Sequence, residues 1–74
     1  MNDPLSRFIK QRRRALALTQ EALASRAGVG LRFIRELEQG KPSLRLDKVN
    51  QVLALFGHRM EPTPFRMEVK DEES

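Results

Sequence analysis

The sequence predicts an all-α fold of four to five short helices, with a short C-terminal strand that pairs across a dimer. Three observations lead there. Apolar residues recur at three- and four-residue spacing through most of the chain. Gly28, Gly40 and Gly57 fall where successive apolar stripes stop. Alternation at a spacing of two is confined to the residues after Gly57.

The first helix starts at Asn2-Asp3-Pro4. Asp3 can cap the orphan N–H groups, and Pro4 suits the first helical position, which needs no N–H. Leu5, Phe8, Ile9 and Leu16 then share one face, and the helix is expected to end near Ala17. Arg13 lies four residues after Ile9, on the edge of that face, where a cation needs an internal partner. Thr19 is a good N-cap for a second helix, about Gln20 to Ala27, with Glu21 in its first turn. Its buried face is Leu23, Ala24 and Ala27, and Gly28 supplies the left-handed exit. Gly30 precedes a third helix, Leu31 to Gln39. There Ile34, Leu37 and part of Glu38 face inward, while Arg32, Arg35, Glu36 and Gln39 face outward. Gly40 and Pro42 end it. A fourth helix, Leu46 to Phe56, carries Leu46, Val49, Val52, Leu53 and Phe56 as its stripe.

Beyond Gly57, Pro62 and Pro64 forbid a helix. His58 to Glu61 is an extended candidate, and Phe65, Met67 and Val69 alternate with Arg66, Glu68 and Lys70. Two isolated strands are unstable alone, so the tail is either disordered or paired with another copy. Phe56, His58 and Met60 are accordingly the candidate dimer contacts. The closing Asp71-Glu72-Glu73-Ser74 is expected to be disordered. The expected division is a helical domain over residues 1–57 and an extension over residues 58–74.

With 74 residues and no Cys, the chain has a small core and no disulfide or thiolate metal site, which makes oligomerisation the natural further source of stability. No apolar run is long enough to span a bilayer and no signal-peptide pattern precedes the first helix, so a cytoplasmic protein is expected. The net charge of +4 is unevenly placed. Residues 1–45 hold ten Lys/Arg against four Asp/Glu, and residues 46–74 hold four against six. A basic half favours a polyanion, most simply nucleic acid, although a solvated helix surface has the same composition. His58 has no second His or Cys to join it, and Ser6, Ser25 and Ser43 lack a His–Asp arrangement. Neither catalysis, a cofactor nor a metal is expected.

The region Thr19–Gly40 carries the motif. Counting Gln20 as first, Ala24 is fifth, Gly28 ninth, Ile34 fifteenth and Leu37 eighteenth. A small residue at Ala24 lets two helices cross closely, Gly28 makes the turn, and Ile34 and Leu37 plug the crossing. A helix-turn-helix of this geometry projects its second helix, whose exposed side chains can enter a DNA major groove. Residues 5–57, with LTQEALASRAGVG followed by IRELEQGKPS, resemble the Cro and phage-repressor class of helix-turn-helix domains, the XRE (xenobiotic response element) family. The order of a basic first helix, LTQ, AGV, E-x-G-K-P-S and LDKVNQVLALFG is similar to its HipB-like antitoxin branch. Members of that branch repress their own operon and bind a HipA-type kinase toxin.

The resemblance implies a repressor-like domain in which Arg13 pairs with Glu38. It also places Thr19 and Gln20 at phosphate-contacting positions and Leu31 at a base-reading position. Gln is frequent at that last position, whereas Leu31 offers only an apolar contact to a thymine methyl. Arg32 and Arg35 are base-reading candidates through guanine O6 and N7, or are solvated, with Arg32 pairing locally to Glu36. Glu36 either accepts from cytosine N4 or orients Arg32. Lys41, Ser43 and Arg45 follow the helix and should lie along phosphates. Phe33 flanks the core face and packs on the fourth helix, lines the DNA backbone or joins a dimer.

Two classes of function remain. One is a homodimeric repressor reading an inverted-repeat operator in double-stranded DNA, nucleoid-associated when bound, either as a HipB-like antitoxin or as a stand-alone regulator. The other is a partner-binding inhibitor of a kinase toxin, with DNA binding secondary. RNA recognition is disfavoured by the lack of a stacking aromatic surface.

Overall fold

The computed structural model describes residues 3–65. Asp3 opens the first helix, accepting a 2.7 Å bond from the Ser6 N–H. Ser6 Oγ returns a bond to the Asp3 carbonyl at 3.2 Å, so this small polar side chain is buried with its needs met locally. The helices are α1 (Pro4–Ala15), α2 (Gln20–Ala27), α3 (Leu31–Gln39) and α4 (Leu46–Ala54). α3 packs on both α1 and α2, and α4 closes over α2.

Ile9, Leu23, Ala24, Ile34, Leu37, Val49, Val52 and Leu53 form the core, drawn from all four helices. Each fully buried Leu, Ile or Val there contributes about 1.5–3 kcal/mol over an exposed one. Leu5, Phe8, Phe33, Leu44 and Phe56 pack around it half-buried, so Phe33 takes a packing position. Ala24 is buried, and α2 and α3 are joined by Gly28 at φ 75°. A Cβ on Gly28 would meet Gln51 Nε2 at 3.6 Å, an ordinary contact. It is the left-handed backbone, not lack of room, that requires glycine. Gly28 and Val29 N–H both donate to the Ala24 carbonyl at 3.0 Å, and Gln51 Nε2 donates to the Ala27 carbonyl at 3.1 Å. α4 thereby holds the end of α2 through an amide that periodicity alone would assign to solvent.

The exit from α1 is made without glycine. Ala17 stands at φ 55°, and Leu18 N–H donates to the Arg13 carbonyl at 3.0 Å. This turn shortens α1 relative to the expected end near Ala17. It also puts Leu16 at the cap, 57% exposed, instead of on the apolar face. Leu46 is likewise exposed, because it is the first residue of α4 and lies at the lip of a groove. α4 stops at Ala54, two residues before Phe56, in a turn ending at Gly57.

Among the described residues there is no strand, so the one expected over His58–Glu61 is not supported. The segment folds back on its own chain. His58 N–H donates to the Leu53 carbonyl at 3.0 Å, and Met60 N–H donates to Asn50 Oδ1 at 2.7 Å. Both donors are therefore already committed within the chain. Pairing with a second copy is correspondingly unsupported. Most of the Phe65–Val69 alternation and the acidic Asp71–Ser74 stretch lie outside the described residues.

Ala17 is expected to be improvable. A non-glycine residue in the left-handed region costs about 1–2 kcal/mol. Glycine removes that cost but gives back about 0.4–1 kcal/mol through a freer unfolded chain. Ala17→Gly should therefore raise the thermal midpoint by a few degrees, about 0.5–1 kcal/mol, as read by circular dichroism melting.

Candidate nucleic-acid interface

Because α3 buries Ile34, Leu37 and Glu38, its opposite side is left to solvent. Glu38 is the unusual member of the buried set, with a side chain only 3% exposed. Arg13 Nε donates to Glu38 Oε2 at 2.6 Å and Arg13 Nη2 to Oε1 at 3.0 Å, a two-pronged pair. The remaining prong, Arg13 Nη1, donates to the Leu18 carbonyl at 2.9 Å, on the turn made by Ala17. Gln20 Nε2 adds a 3.1 Å bond to Glu38 Oε1 from the first residue of α2. The end of α3 is thus tied to α1, to the α1–α2 turn and to α2 at one point.

Burial pushes the Glu38 carboxyl upward, but the hydrogen bonds from Arg13 and Gln20, with the charges of Arg13 and Lys10, outweigh it and hold the group below its ordinary 4.5. The hydrogen bond to Glu38 raises Arg13 above its ordinary value against the cost of burial.

The outer face of α3 presents Arg32 and Arg35, both exposed, with Leu31 half-buried at its start. Glu36 sits between two cations, 3.3 Å from Arg32 Nε and 3.4 Å from Lys41 Nζ. Thr19 caps α2 by accepting from Ala22 N–H at 3.0 Å, and its side of the helix start is open to solvent. Gln20, by contrast, has its amide nitrogen committed to Glu38. Lys41, Ser43 and Arg45 lie exposed along the α3–α4 connection. Arg45 there makes a 2.7 Å pair with Asp47, whose carboxyl is lowered chiefly by that hydrogen bond.

The structure brings Arg32, Glu36 and Lys41 into one cluster and Arg13, Glu38 and Gln20 into another. Phe56 and His58 fall elsewhere, around Phe8: the two Phe rings meet edge to face at 6.2 Å, and the His58 ring lies 4.6 Å from Phe8. Met60 lines the neighbouring apolar groove. The link from Lys41 to Glu36 was not drawn from the sequence. Its signal is Gly40, whose left-handed turn sends Lys41 N–H back to the Glu36 carbonyl at 3.1 Å.

The family model described as a helix-turn-helix domain matches residues 4–60, spanning all four helices. The chain belongs to the helix-turn-helix domain family. Within this family it is similar to the uncharacterized HTH-type transcriptional regulator y4mF of Sinorhizobium fredii, at 58% identity over 40 residues. That alignment covers 54% of this chain and 53% of the relative, about half the length of each.

Removing either partner of the central ion pair of this helix-turn-helix domain should be costly. Arg13→Met leaves Glu38 buried and unmatched, at about 3–5 kcal/mol, against about 4–11 kcal/mol in total for a chain of this size. Urea titration should show a largely unfolded or strongly destabilised variant. The pH dependence has a definite sign. A carboxyl whose folded value is depressed contributes its full stability above its unfolded value, here 4.5, and loses it as pH falls through the lower folded value. Stability should therefore decline below about pH 4.5, and Glu38→Gln should flatten that part of the profile.

Proposed function

We propose that the chain is a sequence-specific DNA-binding transcriptional repressor that acts as a homodimer on an inverted repeat. The observation that carries this is the division of α3: Ile34, Leu37 and Glu38 lock its inner face, while Arg32 and Arg35 stand exposed on the other. A helix held in that way can lie in a major groove, with Arg gripping guanine and the flanking Lys41, Ser43 and the start of α2 resting on phosphates. The similarity to an HTH-type transcriptional regulator supports the same reading. Two copies would read half-sites about 34–36 Å apart, or a multiple of that. The task is binding without catalysis, performed in the cytoplasm where the DNA is.

Within that reading, the motif order that resembles HipB-like antitoxins supports a finer assignment: repression of its own operon together with capture of a HipA-type kinase toxin. Coexpression with a neighbouring kinase-like gene tests it. Copurification is expected, and recovery of this chain alone would leave a stand-alone regulator.

The DNA reading is tested by a mobility shift on the promoter of its own gene. A salt-sensitive, sequence-selective shift is expected, and its absence would overturn the proposal. Arg32→Ala should relax preference at one base pair by about 1–3 kcal/mol. Lys41→Ala should weaken all sequences alike and reduce the salt slope by about 1.

A further inference from the structure

Glu36 brings negative charge to the face of α3 that also carries Arg32 and Arg35. Its Oε2 is shared by Arg32 Nε at 3.3 Å and Lys41 Nζ at 3.4 Å. The two cations arrive from opposite directions along α3. Arg32 comes from one turn earlier, at i−4. Lys41 returns from beyond the helix stop, held there by its own backbone bond to the Glu36 carbonyl. The Glu36 side chain is 25% exposed where that of Arg32 is 91% exposed, so the carboxylate is the fixed member of the cluster. Arg32 uses only Nε in this contact. Among the described residues its two Nη groups make no other hydrogen bond, and these can grip guanine O6 and N7. Arg35, one residue before Glu36, has no ion pair among the described residues.

Phosphate contacts hold a protein on DNA but carry no sequence information. A cation that already has a carboxylate partner gains less from a phosphate than a free one does, because it exchanges one anion for another. A guanidinium steadied through Nε remains able to read a base edge. We propose that Glu36 sets specificity as an intramolecular counterion: it competes with DNA phosphate for Arg32 and Lys41 and so suppresses binding to arbitrary sequence. This rests on the DNA-binding reading above.

The test is Glu36→Gln, which keeps shape and removes charge. Binding is measured over a range of salt to a random-sequence duplex of about 30 base pairs, room for two half-sites, and to a duplex selected in vitro by the wild-type chain. Elution from heparin is measured alongside. Random duplex should bind the variant about two- to fivefold tighter, the range expected on freeing cations from exposed ion pairs. The salt slope should steepen by about one, the ratio of selected to random affinity should fall, and heparin elution should move to higher salt. Adding Lys41→Gln to Glu36→Gln should return the slope to the wild-type value. A variant that binds both duplexes more weakly, or keeps the wild-type ratio, overturns the proposal alone. A wild-type chain that binds neither duplex in a salt-sensitive way overturns the DNA reading and this proposal with it. In that case the heparin shift still reports whether Glu36 restrains the two cations. A melting curve on the variant checks that it folds, since Glu36 lies outside the core.

Discussion

One buried carboxylate sets the orientation on which the surface of this domain depends. Burial of Ile34 and Leu37 decides which side of α3 faces in, but apolar contact is non-directional and leaves small rotations and slides open. Glu38 removes that freedom. Its two oxygens receive Arg13 from α1 and Gln20 from α2, and the same guanidinium also reaches the Leu18 carbonyl. A buried ion pair often adds little net stability compared with an apolar replacement of the same shape. Here its contribution is angular. It fixes the fine rotation of α3 against α1 and α2, and so the exact positions of Arg32, Arg35 and Glu36.

The helical part of this arrangement was legible in the sequence because each helix carries a stripe, and α2, α3 and α4 are each followed by a glycine stop. Asp3 and Thr19 act as side-chain caps, Gly28 and Gly40 as left-handed exits, and Ile34, Leu37, Val49, Val52 and Leu53 are all buried. What sequence could not show was how polar side chains are spent across the fold. Gln51 and Asn50 have no periodicity that marks them as internal ties, since an amide on a helix surface has the same pattern whether it meets water or a backbone group. Gln20 is similar. Its place at the start of α2 points to a phosphate, and only the crossing of α2 and α3 shows that Glu38 takes its amide nitrogen. Leu16 failed for a different reason: its helical phase is right, but the chain has left the helix, through a left-handed Ala17 that composition gives no cause to expect.

The tail shows why a period of two is weaker evidence than a period near 3.6. Strand alternation records that successive side chains point to opposite sides, which any extended segment lying on a surface will produce. His58 packs on Phe8, while Arg59 and Glu61 approach one another at 3.9 Å. The described stretch, His58–Glu61, lies against α1 and α4, while the Phe65–Val69 alternation falls mostly outside the described residues. A helical stripe implies its own hydrogen bonds, whereas a strand needs a partner the periodicity does not name.

Net charge misleads in a related way. The basic half of the chain does not present its cations equally to a polyanion. Arg13 is half-buried in the central pair, Arg12 lies over the Phe8 ring at 5.4 Å, and Arg45 is held by Asp47. Arg32 and Lys41 share one carboxylate oxygen, which leaves Arg35 as the member of the α3 face with no ion pair among the described residues. A phosphate contact made by Arg32, Lys41 or Arg45 then draws the cation from a neighbour already in place, and the gain is the difference between two anions, not the full attraction of one. A surface built in this way favours a ligand that supplies something beyond charge, such as a base edge matched to the free Nη groups of Arg32. The number of basic residues describes the attraction at long range, and the placement of Glu36 describes how much of it survives at contact.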